Sequence, residues 1–131
     1  MAEAYQFDDP VSLAFEYLSE YYPGKIAREE PEPYDAERLL IIIKDGGGNG
    51  VYAHQLTDVR LTFEVRSGDQ REAARVASEV DALIRDWSYR KPGVYFRDQL
   101  TRPQYMPEPD RRIPAYIWTA VLAFRGHQLN L

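Results

Sequence analysis

The sequence predicts an α+β domain: a twisted, mostly antiparallel sheet of four to five strands with two helices packed on one face. Three observations predict it. Two segments, from Val11 to Tyr22 and from Ala73 to Trp87, carry apolar residues at helical spacing. The segments beginning near Leu39, Val59, Val94 and Ala115 have the composition and periodicity of strands. The chain has 131 residues and no linker long enough to divide it, so residues 1–131 form a single domain. The predicted order is α-β-β-β-α-β-β.

Asp9-Pro10 opens the first helix, Asp suiting the N-cap and Pro the first helical position. Val11, Phe15, Leu18 and Tyr22 form its apolar stripe, and Pro23-Gly24 stops it. Gly24 to Glu29 reads as a short strand. Glu29-Glu30-Pro31-Glu32-Pro33 reads as a solvated, proline-broken edge, since proline has no N–H for a ladder. Arg38 to Lys44 holds the continuous apolar run Leu39 to Ile43, which suits a strand buried on both faces. Asp45 to Gly50 is then a flexible loop. Val51 to Arg66 is one long strand, in which Val59, Leu61, Phe63 and Val65 alternate with Asp58, Arg60, Thr62, Glu64 and Arg66. Asp69 with Glu72 has the spacing of a capping box and opens the second helix. Its apolar face carries Ala73, Val76, Ala77, Val80, Leu83, Ile84 and Trp87. Arg90 to Gly93 breaks the chain, and Val94 to Leu100 is a further strand.

A proline-rich, charged loop then runs into the last strand. One face of that strand carries Tyr116, Trp118, Ala120, Leu122 and Phe124. The other carries Ala115, Ile117, Thr119, Val121 and Ala123. A strand apolar on both faces wants cover on both sides. The helices cover one side, and the other is a candidate for burial against another subunit.

Composition narrows the function classes. The net charge of −5 speaks against tight wrapping of nucleic acid, which needs a basic face. The sequence has no cysteine, which removes disulfides, zinc–thiolate sites and thiol nucleophiles. Ten tyrosines suit half-buried positions and interfaces. The stretch Met1 to Asp9 is acidic and polar, unlike a signal peptide. The longest apolar run, Ile113 to Phe124, falls well short of the ~20 residues that span a bilayer, so no membrane partner is expected.

Motifs for chemistry are missing. Gly46 to Gly50 lacks the Gly-Lys-Ser/Thr ending of a phosphate loop and precedes a strand rather than a helix. His54 and His127 have no second ligand at helical spacing. No Gly-x-Ser-x-Gly elbow occurs. Trp87 and Trp118 fall in phase with apolar neighbours and read as core. No catalytic, cofactor-binding or metal-binding residue is expected, and no enzymatic activity.

Several local patterns recur in a fixed order. A short helix leads into Pro31-x-Pro33, and the apolar strand Leu39 to Ile43 leads into Gly46-Gly47. Asp58-x-x-Leu61-Thr62-x-Glu64 is followed by a helix with paired alanines, Ala73 and Ala74. Pro107-x-Pro109, Pro114-x-Tyr116 and an aromatic strand ending Arg125-Gly126 close the chain. In this ordered set the chain resembles the tail terminator proteins, also called minor tail or tail completion proteins, of long-tailed actinobacterial phages. It departs from them at Asp110-Arg111-Arg112, where many relatives carry a glycine-containing turn.

The resemblance implies a virion protein at the tail–neck junction, assembled in the host cytoplasm. It implies a homohexameric ring that caps the tail tube, stops its polymerisation and docks to the head–neck connector, with genomic DNA passing through the lumen. Two other readings stand beside it: a head–tail joining or head-closure adaptor, and a small ligand-binding α+β domain. Candidate contact residues are Gly46, Gly47, Gly48, Asn49 and Gly50 in the first loop. In the proline-rich loop they are Arg102, Tyr105, Met106, Asp110, Arg111 and Arg112, and in the last strand Tyr116 and Trp118. Charge reversal at Arg111 and Arg112 is expected to weaken partner contact without harming the fold.

Overall fold

A computed structural model describes residues 4–52 and 55–129. Its centre is two long antiparallel strands, β5 (Leu56–Arg66) and β8 (Ala115–Arg125), paired over their whole length from Leu56↔Arg125 to Arg66↔Ala115. Around them lie β2 (Ile26–Ala27), β3 (Leu40–Asp45), β4 (Gly50–Tyr52), β6 (Val94–Gln99) and β7 (Gln104–Tyr105). The strand order is β2-β3-β5-β8-β6, with β4 beside β5 and β7 beside β8. All pairs are antiparallel except β2–β3. The sheet therefore has seven strands rather than four to five. A separate ribbon pairs β1 (Tyr5–Gln6) with β9 (His127–Gln128). These short polar strands lack a period long enough to read from sequence.

The helices are α1 (Pro10–Ser19), α2 (Gln70–Arg85) and the single turn α3 (Trp87–Arg90). The expected N-caps are present: Asp9 accepts from the Val11 amide at 3.3 Å, and Asp69 from the Arg71 amide at 2.9 Å. The capping box of α2 closes through a relay. The Asp69 amide donates to Ser67 Oγ at 3.1 Å, and that hydroxyl donates to Glu72 at 2.7 Å. Both long helices lie on the face that presents Val59, Leu61, Phe63 and Val65 of β5 and Trp118, Ala120, Leu122 and Phe124 of β8. Trp118 lies 5.4 Å from Phe63, ring to ring, and Tyr17 stacks on Trp87 at 4.6 Å. Such a pair adds about 0.5–1.5 kcal/mol beyond its buried area.

The stripe of α1 is rotated from the expected one. Val11, Ala14, Tyr17 and Leu18 face the core, while Phe15 is 37% exposed. Ala14 lets the helix approach the sheet, and Tyr17 buries its ring while its hydroxyl donates to the Leu83 carbonyl at 2.7 Å. Burial pushes the Tyr17 phenol up to about 12.

Candidate functional site

Two segments flagged as contact loops prove to be ordered parts of the sheet. The stretch Gly46 to Asn49 joins β3 to β4 along the same edge of β5. The Gly46 amide donates to Arg60 O and the Arg60 amide to Gly47 O, both at 2.7 Å. Asp45 caps the turn by accepting from the Gly47 amide at 2.8 Å. Gly48 has φ +144°, and a Cβ there would stand 2.2 Å from the Asp58 carbonyl oxygen. The glycines thus form a bulge pinned against β5, in place of the expected flexible loop. Gly46, Gly47, Gly48, Asn49 and Gly50 remain exposed on their outer side. Of the predicted strand from Val51 to Arg66, the described residues form β4, up to Tyr52, and β5, from Leu56, and His54 lies outside the described residues.

The proline-rich segment is a hairpin. β7 pairs with β8 at Tyr105↔Tyr116, and the pairing continues through Met106 N–H to Ala115 O and Glu108 N–H to Ile113 O, both at 2.9 Å. The Arg112 amide donates to Glu108 O at 2.7 Å and closes the tip. The Glu108 carboxylate fills that tip, accepting from the Asp110 amide at 3.1 Å, the Arg111 amide at 2.9 Å and Arg111 Nε at 3.0 Å. Desolvation would raise the Glu108 pKa. The amides of Arg111 and Asp110 and the Arg111 guanidinium outweigh it, so the carboxyl titrates below its usual range. Arg112 sits at φ 56°, the left-handed region that glycine occupies most easily.

Arg111 is not free to meet a partner through its whole fork. Its guanidinium also binds Glu30 at 2.5 Å. Glu30 accepts from Arg66 Nη1 at 2.7 Å, and Arg66 Nε binds Glu64 at 2.9 Å. The Tyr34 ring lies 5.0 Å from the Arg111 guanidinium and 5.5 Å from that of Arg66. Arg66 is only 8% exposed, so these partners offset the cost of burying its charge. The hydrogen bonds from Arg111 and Arg66 hold the Glu30 carboxyl below its ordinary pKa. This latch joins the proline-rich edge at residues 29–34 to the tip of the hairpin. The acidic run therefore does more than protect an edge. Charge reversal at Arg111 would break the latch, against the expectation that it spares the fold.

Trp118, expected as a contact, is not at the surface. It is 1% exposed under the helices, because its side of β8 is the core side. Tyr116 is half-buried, with its ring 5.5 Å from that of Tyr105. Arg102, Tyr105, Met106, Asp110, Arg111 and Arg112 are exposed. The glycine bulge and the hairpin lie towards opposite ends of β5, since Gly50 pairs with Asp58 whereas β7 meets Ile117, the partner of Glu64.

The sheet face away from the helices lies between them. At the hairpin end it buries Leu40, Ile42 and Ala115, apolar residues outside the main core cluster. Its middle is polar: Thr62 and Thr119 share a hydrogen bond at 2.9 Å. Towards the bulge, Arg97 is the extra residue where the β6–β8 register shifts. It lies 3.8 Å from Asp58 and over the Tyr52 ring at 5.5 Å. There the face opens into a basin of about 350 Å³, lined by Asn49, Asp58, Arg60, Arg97, Asp98 and Val121 among others. A second cleft, about 480 Å³, lies between α1 and the start of β6, and its Glu20 and Lys91 pair with each other at 3.2 Å.

Among the described residues, no group of three or more His, Asp or Glu side chains could hold a metal ion, and no helix is long and apolar enough to cross a membrane. No protein-family model matches the chain, and no curated protein matches it.

Proposed function

We propose that this chain is a structural virion protein of the tail-terminator type, which assembles into a ring, caps the tail tube and meets the head–neck connector while DNA passes through. The observation that carries the reading is the latched hairpin of β7 and β8. It is a hydrogen-bonded hairpin tied to Glu30, built from the segment that holds the closing signature of the resemblance. Pro107 and Pro109 flank Glu108 at its tip, and Tyr116 packs on Tyr105 at its base. A preformed hairpin loses little freedom on docking, which favours an assembly role. Gly126 adds support, since a Cβ there would meet the Phe7 ring at 2.9 Å and Gln6 O at 3.0 Å. The Arg125-Gly126 ending thus permits the crossing of the two chain ends.

The test is to add the purified protein to polymerising tail tubes and measure tube length by electron microscopy. The reading expects lengths to stop growing, with density for the protein at one tube end. Tubes that grow unchanged, or protein that binds isolated heads and ignores tubes, would replace this reading with the head-closure one. A monomer that ignores both would direct attention to the two clefts instead.

A further inference from the structure

We infer that the chain associates with a second copy of itself head to tail, the hairpin segment of one copy seating on the α1 side of the next. This rests on the ring-forming reading and names its two contact faces.

Of the nine exposed large apolar side chains among the described residues, five lie in two unlike places, the others being Val51, Tyr89, Tyr95 and Leu129. At the β6–β7 edge, Leu100, Tyr105 and Met106 are 46%, 44% and 53% exposed. On α1 and just after it, Phe15 and Tyr21 are 37% and 42% exposed. Beside Tyr21 runs an open groove of about 410 Å³ between the ends of α1 and α2, lined by Tyr22, Glu79, Ala82 and Leu83. Its shape and lining suit an unbranched apolar side chain such as Met106.

Charge separates the two faces. From Leu100 to Pro107 the only charged residue is Arg102, which has no ion-pair partner among the described residues. From Pro10 to Tyr22 the only charged residues are Glu16 and Glu20. Glu20 is held by Lys91, while Glu16 has no ion-pair partner among the described residues. The unpaired Arg102 thus complements the unpaired Glu16, which stands next to Phe15 at the rim of the cleft between α1 and β6.

Position gives the contact its direction. α1 packs on β2 and β3 at one end of the strand order, and β7 lies beside β8 towards the other. Two different patches on one chain make a heterologous contact, which propagates around a ring when the rotation closes. The latch from Glu30 to Arg111 keeps the hairpin in place for this docking.

Light scattering across a concentration series tests the contact. The wild-type chain should form an assembled species. Arg102→Glu with Met106→Glu, on one face, and Glu16→Arg, on the other, should each weaken association by at least about tenfold. All three positions are exposed, and circular dichroism would verify the fold of each variant. Arg102→Glu combined with Glu16→Arg should recover most of the assembled mass. A wild-type chain that stays monomeric, or folded variants that assemble as it does, would overturn the contact. Tube capping by a wild-type chain that never self-associates would sink the contact and leave the structural role standing. Self-association through these faces with no effect on tube length would do the reverse.

Discussion

The two faces of the β5–β8 pair share one backbone and one set of ladder bonds, yet they are sealed in different ways. The first face meets two helices and is dry: Leu61, Phe63, Val65, Trp118, Ala120, Leu122 and Phe124 are all buried in one cluster. The second face has no helix. At one end it buries Ile42 and Ala115 beside the Arg66–Glu30 latch, and at the other it opens into a polar basin. Sequence patterning registers that Ala115, Ile117, Val121 and Ala123 are apolar. It does not register that small residues and a hairpin from the same chain can cover part of such a face without a subunit.

Substitutions can break this comparison. The largest effect is expected from Trp118→Ala, which should cost about 3–5 kcal/mol in urea unfolding through lost burial and a cavity. Trp118→Phe makes a finer test, because the indole N–H has no hydrogen-bond partner in the core. Losing that orphan donor offsets part of the lost volume, so its cost should be well under half that of the Ala variant. On the second face, Ile42→Ala should cost about 2–5 kcal/mol if this end is a packed layer. A loss under about 1 kcal/mol would show that the second face is only loosely covered.

The latch sharpens the contrast further, because it is the polar part of that second face. The folded-state pKa of Glu30 lies below its unfolded value. Its stabilisation is therefore present above the ordinary carboxylate range and is lost as pH falls through the depressed value. Glu30→Gln should lower the urea midpoint near neutral pH and converge with wild type in strong acid. Equal midpoints at neutral pH would mean that Arg66 finds enough compensation in Glu64 alone. The smallest effect is expected at the hairpin tip. Arg112→Gly relieves a left-handed residue but loosens the unfolded chain, for a net gain of about 0.5 kcal/mol. A loss of stability there would point to a side-chain contact of Arg112 that offsets its backbone strain.

Much of the fold was legible because it rests on local signals. Asp9 and Asp69 announced the helix starts, and the alternation from Val59 to Val65 announced the core side of β5. The phase of α1 was not legible: Phe15 outranks Ala14 in hydrophobicity, and only packing against the sheet reveals that the small residue faces in. The glycine stretch misled for a related reason. Five small residues look floppy, but the approach of Gly48 to the Asp58 carbonyl shows that they are small in order to fit. The latch could not be read at all. Glu30 and Arg66 stand 36 residues apart, and Glu30 and Arg111 stand 81 apart, with nothing local to couple them. The hairpin residues were flagged, yet Arg111 was flagged for a role that its bonds within the chain partly occupy.

The ribbon of β1 and β9 brings the two ends of the described chain together. The Leu129 amide donates to the Ala4 carbonyl at 2.8 Å. A fluorophore pair attached at positions 4 and 129 would report a single short separation. A few added residues would bridge the gap covalently. Such a cyclised chain should gain stability through the unfolded state, because the closure removes entropy that the native ribbon has already given up. A permutant with new ends elsewhere would then ask whether these strands hold the fold shut or only decorate it.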